Sequence, residues 1–207
     1  MFALVQDGSI TKYLSGNRGI TIGGIQYPQN IFTVWTAAEK EAIGIYEVVH
    51  NNTNKKDEAY YTNTNQTFTY DADAGTVTAT YGDATAKAHA DTTWTQDQID
   101  DGDAPAGADT DTVAVEGLKT IRIRTVKAQA AGILQDTDWY IVRKADASTA
   151  VPSAITTHRA AVRTKAAEQE TLITNAADTL ALETLYTYTT TDGVQSRPLG
   201  ELPTLES

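Results

Sequence analysis

Asp91-Thr-Thr-Trp-Thr-Gln-Asp-Gln-Ile-Asp-Asp-Gly-Asp-Ala-Pro-Ala-Gly-Ala-Asp-Thr-Asp-Thr112 separates two differently patterned parts of the chain. The stretch holds seven aspartates, two glycines and a proline, with no lysine or arginine to balance them. Like charges repel, and a long structureless segment is unusual inside a compact domain. Residues 91–115 therefore read as an acidic connector between folded parts. Before it, apolar residues come in short alternating runs; after it, they recur at helical spacing. The expected fold class is α+β. A small N-terminal antiparallel β domain covers residues 1–90, a C-terminal α-helical module covers 116–188, and an extended tail covers 189–207.

In the first part, Asp7-Gly8 lies between Phe2-Ala-Leu-Val-Gln and Ser9-Ile-Thr-Lys-Tyr-Leu. Both turn residues tolerate positive φ, which predicts a two-residue hairpin. Gly23-Gly24 between Ile20-Thr-Ile and Ile25-Gln-Tyr predicts a second. Ile31-Phe-Thr-Val-Trp35 is a short apolar run. Thr36-Ala-Ala-Glu39 has the form of a capping box opening a helix to Ile43, and Gly44 can end it. Ile45–His50 returns as a strand. A third hairpin turns around Asp71-Ala-Asp-Ala-Gly75, and Thr85–Ala90 reads as the start of a short helix.

Past the connector, apolar residues at 118, 121, 126, 130, 133 and 134 predict a helix from Glu116 to Leu134, with Lys119, Arg122 and Lys127 opposite. Thr137 is placed to cap a second helix through Trp139, Val142 and Arg143. Pro152 opens a third, and Asp178 caps a last one. Ile155, Val162, Ala166, Gln169 and Ile173 form a narrow stripe on the third helix. The seven-residue step from Ile155 through Val162 to Gln169 has coiled-coil character. Such a stripe can be buried against copies of itself or against the 118–134 helix. Trp139, with the largest apolar side chain of the module, is expected to be its packing centre, and Arg159 and Arg163 lie four apart, within reach of one acidic partner.

Composition excludes more than it assigns. The 27 acidic and 16 basic side chains give a net charge of −11, which opposes general binding to nucleic acid or to an anionic membrane surface. With no cysteine, disulfides, thiolate metal sites and cysteine nucleophiles are out. Apolar runs are too short to span a bilayer, and the N-terminal Met-Phe-Ala-Leu-Val-Gln-Asp-Gly lacks the basic and apolar regions of a signal peptide.

Candidate chemistry is sparse. His50, His89 and His158 are not spaced with other ligands. Asp71-Ala-Asp-Ala-Gly75 begins like a calcium loop, but its twelfth position is Gly82 rather than a glutamate. Asp97, Asp100, Asp101 and Asp103 read as a solvated acidic segment rather than a calcium site. Glu39, Glu41 and Glu47 read as capping and surface residues rather than a glycosidase pair. No nucleophile elbow and no phosphate loop occur. No catalytic, cofactor-binding or metal residue is assigned, and the chain is read as non-enzymatic.

Leu134-Gln-Asp-Thr-Asp-Trp-Tyr-Ile-Val-Arg-Lys144, Thr149-Ala-Val-Pro-Ser153 and His158-Arg-Ala-Ala-Val-Arg163 together resemble a pattern of tailed-bacteriophage tail proteins. It is the pattern of tail-fibre assembly proteins and of short tail-fibre or baseplate-associated proteins. The N-terminal eight residues and Asn30–Tyr46 are similar to the start of the same proteins; His158 departs from a position often occupied by tyrosine. The resemblance implies a structural component of the virion, in the tail fibre or at its attachment to the baseplate, with a tail-fibre assembly chaperone as the alternative. It implies other phage tail proteins as partners, a homo-oligomer with a trimer favoured, and a virion tail assembled in the host cytoplasm. It carries no cofactor and no catalytic residues. The interface candidates are Trp139, Ile155, Arg159, Val162 and Arg163.

Overall fold

A computed structural model describes residues 1–205 and divides the chain into two compact units, Met1–Thr85 and Ala86–Ser207. The first contains strands β1 (Phe2–Gln6), β2 (Ser9–Leu14), β3 (Ile20–Ile22) and β4 (Ile25–Tyr27), then short helices α1 (Ile31–Val34) and α2 (Ala37–Glu41). Strands β5 (Ile45–Asn51), β6 (Tyr61–Thr62), β7 (Thr67–Asp71) and β8 (Thr76–Thr80) follow, and β9 (Thr85–Ala86) marks the join.

The predicted hairpins are present. Asp7 and Gly8 both have positive φ, and Gln6 faces Ser9 across the turn. Gly23 and Gly24 do the same between Ile22 and Ile25. Thr36 and Glu39 form the capping box of α2, and Gly44, at φ 81°, returns the chain into β5. The apolar run at Ile31 is a helical turn that buries Ile31 and Phe32.

Five strands form one sheet in the order β2-β1-β5-β8-β7. It is antiparallel except for β5 and β8, which run parallel. The expected antiparallel β domain is present, with this one parallel pair inside it. After β5 the chain passes one position outward, descends as β7 and turns back as β8 into the gap. Turn chemistry specifies the β7–β8 hairpin but not which neighbour receives it.

Strand β1 is apolar from Phe2 to Val5 because that stretch is covered on both faces. Phe2 and Leu4 face one cluster, with Leu14, Ile20, Ile31, Phe32 and Ile45; Ala3 and Val5 face another, with Val48, Val77 and Ala79. The second face sets small residues on the inner strands under rings from Tyr46 of β5 and Phe68 and Tyr70 of β7. Tyr13 of β2 and Phe68 of β7 meet with centroids 4.6 Å apart, so the two outer strands curl toward each other over Ala3 and Ala79.

The second unit opens with β10 (Thr92–Thr93), α3 (Gln96–Asp100) and β11 (Val113–Val115). The acidic stretch is thus a closed excursion belonging to this unit. Strands β10 and β11 pair at its base, Trp94 N–H donates to Thr112 O, and a Thr95–Gln98 capping box starts α3. Four helices follow: α4 (Leu118–Gln135), α5 (Asp138–Ala147), α6 (Ser153–Asn175) and α7 (Thr179–Tyr186). Among the described residues, no helix is long and apolar enough to cross a membrane.

The chain before the excursion caps α4. Leu118 N–H donates to Ala88 O and Lys119 N–H to His89 O, both at 2.9 Å. The Asp91 carboxylate accepts from Gly117 N–H at 2.7 Å and from the Thr120 hydroxyl at 2.8 Å. Amides left open at a helix start are thereby satisfied, with a negative charge at the positive end. The expected helix at Thr85–Ala90 is absent because these carbonyls are used on α4. The approach is so close that a Cβ on Gly117 would lie 2.2 Å from the Ala90 carbonyl carbon.

Helices α4 and α6 pack antiparallel: Lys119 Nζ donates to Thr174 O at one end and Arg159 Nη1 to Leu134 O at the other. Leu118, Val126 and Ala130 face Ile155, Val162, Ala166, Gln169 and Ile173 in the buried seam. Asp178 caps α7 by accepting from Ala181 N–H. Residues 189–205 are not an extended tail, and the last two residues of the expected tail, 206 and 207, lie outside the described residues. The described part forms the hairpin β12 (Thr189–Thr191) and β13 (Val194–Ser196), then folds back so that Leu199 is 1% exposed. Gly200 O accepts from the buried Gln169 amide at 3.0 Å.

Gly117→Ala is expected to destabilise the second unit by about 1–3 kcal/mol, the usual range for forcing atoms into a closed space; a chemical unfolding curve indistinguishable from wild type would refute the close approach. In the first unit, Tyr46 and Tyr70 hydroxyls lie 3.0 Å apart, and that hydrogen bond, with burial, pushes Tyr46 up to about 12. The native state therefore keeps a proton that the unfolded chain loses near pH 10, and stability should decline as pH rises from 10 to about 12. Tyr46→Phe should flatten that decline in urea unfolding at stepped pH.

Candidate functional site

The α4–α5 corner is organised by one buried cation. Arg159 projects from the first turns of α6 and is 7% exposed. Its Nη1 donates to Leu134 O and to the Thr137 hydroxyl oxygen, both at 2.7 Å, and lies 2.8 Å from Asp138 Oδ1. The positive charge sits at the negative end of α4, and Asp138 at the positive end of α5, so both helix dipoles favour the arrangement. The Thr137 hydroxyl in turn donates to Leu134 O at 3.0 Å. It does not cap α5, contrary to the sequence reading, because it is engaged by Arg159 and the end of α4.

Trp139 is not the packing centre. It is 52% exposed, stacked on Tyr140 with centroids 4.0 Å apart, and Arg143 lies 4.6 Å from its ring. Val142, one turn on, is 65% exposed, and Ile141 is also exposed. The buried centre of the helical layer is instead Val126, Val162, Ile173 and Leu182. Period alone could not distinguish these arrangements, since a short helix with Trp139 and Val142 on one face suits either an interior or an outward patch.

The other candidates separate into two groups. Ile155 and Val162 are buried in the α4–α6 seam, so the stripe they belong to is already covered within the chain. Arg159 is committed to its corner, while Arg163 is exposed. The two arginines line one groove together with Ile141, Lys144, Ala150, Val151 and Thr156. Lys144 and the apolar wall were not singled out in the sequence. They join Arg163 only where α5, the connection at Ala150 and Val151, and the start of α6 come together, which no local pattern specifies.

Elsewhere, several polar groups have structural partners. Thr36 N–H and hydroxyl bind the Glu39 carboxylate and hold its carboxyl below the usual range. Arg124 pairs with Glu116, and Lys127 with Glu170 at 3.4 Å. Asp71 accepts from Asp73 and Ala74 N–H, closing the hairpin turn. Among the described residues, no three acidic or histidine side chains are grouped to hold a metal ion.

Compared with models of protein families, with curated proteins and with solved structures, the chain matches none.

Truncation should separate the two prominent residues of the corner. Arg159→Met, which removes charged hydrogen bonds from a buried place, should cost about 1.5–3 kcal/mol. Trp139→Ala should cost about 1 kcal/mol, the worth of its ring contacts. Urea unfolding of the full chain measures both, and the reverse order would mean that Trp139, not Arg159, holds the corner.

Proposed function

We propose that the chain is a non-enzymatic structural component of a tailed-phage virion, placed in the tail fibre or at its attachment to the baseplate. The observation that carries this reading is the outward aromatic and apolar face of α5. Trp139 and Val142 are both more than half exposed, within the block that resembles tail proteins. Large apolar side chains clustered on a surface mark a contact site more often than a solvated face. Tryptophan and arginine side by side are the residue types enriched at the energetic centres of interfaces.

In this reading α5 docks on another tail protein, with Trp139 as the anchor and Arg143 holding its ring in place. Self-association belongs to the same proposal, a trimer being the form the resemblance favours. Its site is outside the seam of Ile155, Val162 and Gln169, which α4 already covers. The virion tail, assembled in the host cytoplasm, is the proposed location.

Quantitative mass spectrometry of purified virions tests the proposal. A fixed copy number per particle is expected. Abundance in infected cells with absence from particles would replace it with the assembly chaperone reading. In virions of a phage carrying Trp139→Ser, incorporation should fall at least about tenfold, as for loss of an interface anchor, while the purified protein still unfolds cooperatively, with a melting temperature lowered by only about 2–8 °C.

A further inference from the structure

The second unit carries opposite charges at the two ends of one helix. The acidic excursion is pinned at the start of α4, where β10 pairs with β11 and Asp91 binds Gly117. Asp100, Asp101 and Asp103 are exposed, and among the described residues none of them is in an ion pair. Asp109 is different: its carboxylate closes a turn with Thr112 and Asp111, which hold its carboxyl below the usual range. The other end of α4 meets the groove of Lys144, Arg159 and Arg163, walled by Ile141 and Val151, with no carboxylate in its lining. Arg159 Nη1 is bound at this end, directly to the last turn of the helix.

The 18 residues of α4 put these ends about 27 Å apart at 1.5 Å per residue. The base of the excursion is fixed at the near end, so the chain does not cover its own groove. A second copy brings the missing charge without any other partner. We propose that the groove of Lys144 and Arg163 receives the Asp100–Asp103 turn of a second copy of this chain, in a head-to-tail contact. Arg159 positions the floor of the groove; its own charge is balanced by Asp138, so Lys144 and Arg163 supply the attraction. The apolar wall of Ile141 and Val151 excludes water from the edge of the ion pairs, which strengthens them over fully exposed ones. A head-to-tail contact uses two different surfaces, so each copy retains one free groove and one free excursion. Repetition produces a closed ring or an open filament according to the rotation between copies. The inference does not depend on the tail reading, since it follows from charge and placement alone.

Light scattering on the full chain tests it, with samples up to about 100 μM because exposed ion pairs are individually weak. At about 0.01 M salt, where charges act over about 30 Å, the mass should grow with concentration, and at about 1 M salt it should return to that of one chain. Two neutralising variants divide the contact. Lys144→Gln with Arg163→Gln disables the groove. Asp100→Asn with Asp101→Asn and Asp103→Asn disables the excursion and leaves the Asp109 turn intact. Each variant alone should lose at least tenfold in association and remain a single chain. Mixed in equal amounts, they should form dimers and nothing larger, because only one intact groove and one intact excursion can meet. Circular dichroism melting confirms that each variant is folded. A wild-type chain that stays monomeric at low salt, a variant that still associates alone, or a mixture that stays monomeric would each overturn the proposal.

Discussion

A guanidinium cannot shed its charge on burial, so a buried arginine dictates what surrounds it. At the α4–α5 corner, Arg159 demands acceptors and finds three on one nitrogen: Leu134 O, Thr137 Oγ1 and Asp138 Oδ1. Those acceptors belong to the last turn of α4 and the first turn of α5, so satisfying one side chain of α6 fixes three helices. The alternative is an unpaired buried charge, costing several kcal/mol. The outward aim of Trp139 follows, since Asp138 is turned toward Arg159 and its neighbour is carried to the other side of α5. What is available for contact outside the chain is thus a consequence of what is neutralised inside it.

The same logic holds at the opposite end of α4, where orphan amides rather than a charge set the terms. The carbonyls of Ala88 and His89 and the carboxylate of Asp91 serve as partners. This is why the acidic excursion has a fixed base despite its composition. Gln169 is the intermediate case, a neutral polar group in the seam, and the Gly200 carbonyl satisfies it. Leu199 and Gly200 are thereby drawn into the helical layer.

How much of this could be read from the chain depends on the range of the forces. Asp7-Gly8, Gly23-Gly24, the Thr36–Glu39 box and the Asp178 cap are set by residues a few positions apart, and each was legible. The stripe from Ile155 to Ile173 was legible as a buried face, but not which of two surfaces would bury it. The parallel pairing of β5 with β8 was hidden, because the alternation of β8 suits either direction and β5 carries no pattern that names its neighbour. Arg159 looked like a surface charge beside Arg163; its partners lie 21 to 25 residues earlier and meet it only once α4 and α6 have packed. The groove was illegible for the same reason, and so was the exposure of Trp139.

The meeting of Tyr13 and Phe68 has an effect beyond filling the concave side of the sheet. Outermost strands present unpaired amides and carbonyls, which template the addition of foreign strands and lead to aggregation. In the first unit the two outermost strands are bent toward each other by their own rings, with Lys12 on one of them. A strand curved in this way no longer matches a flat incoming one, and a lysine resists being covered. The sheet therefore protects its own margins even when many copies are crowded together, so that crowding favours contacts through formed surfaces rather than through exposed backbone.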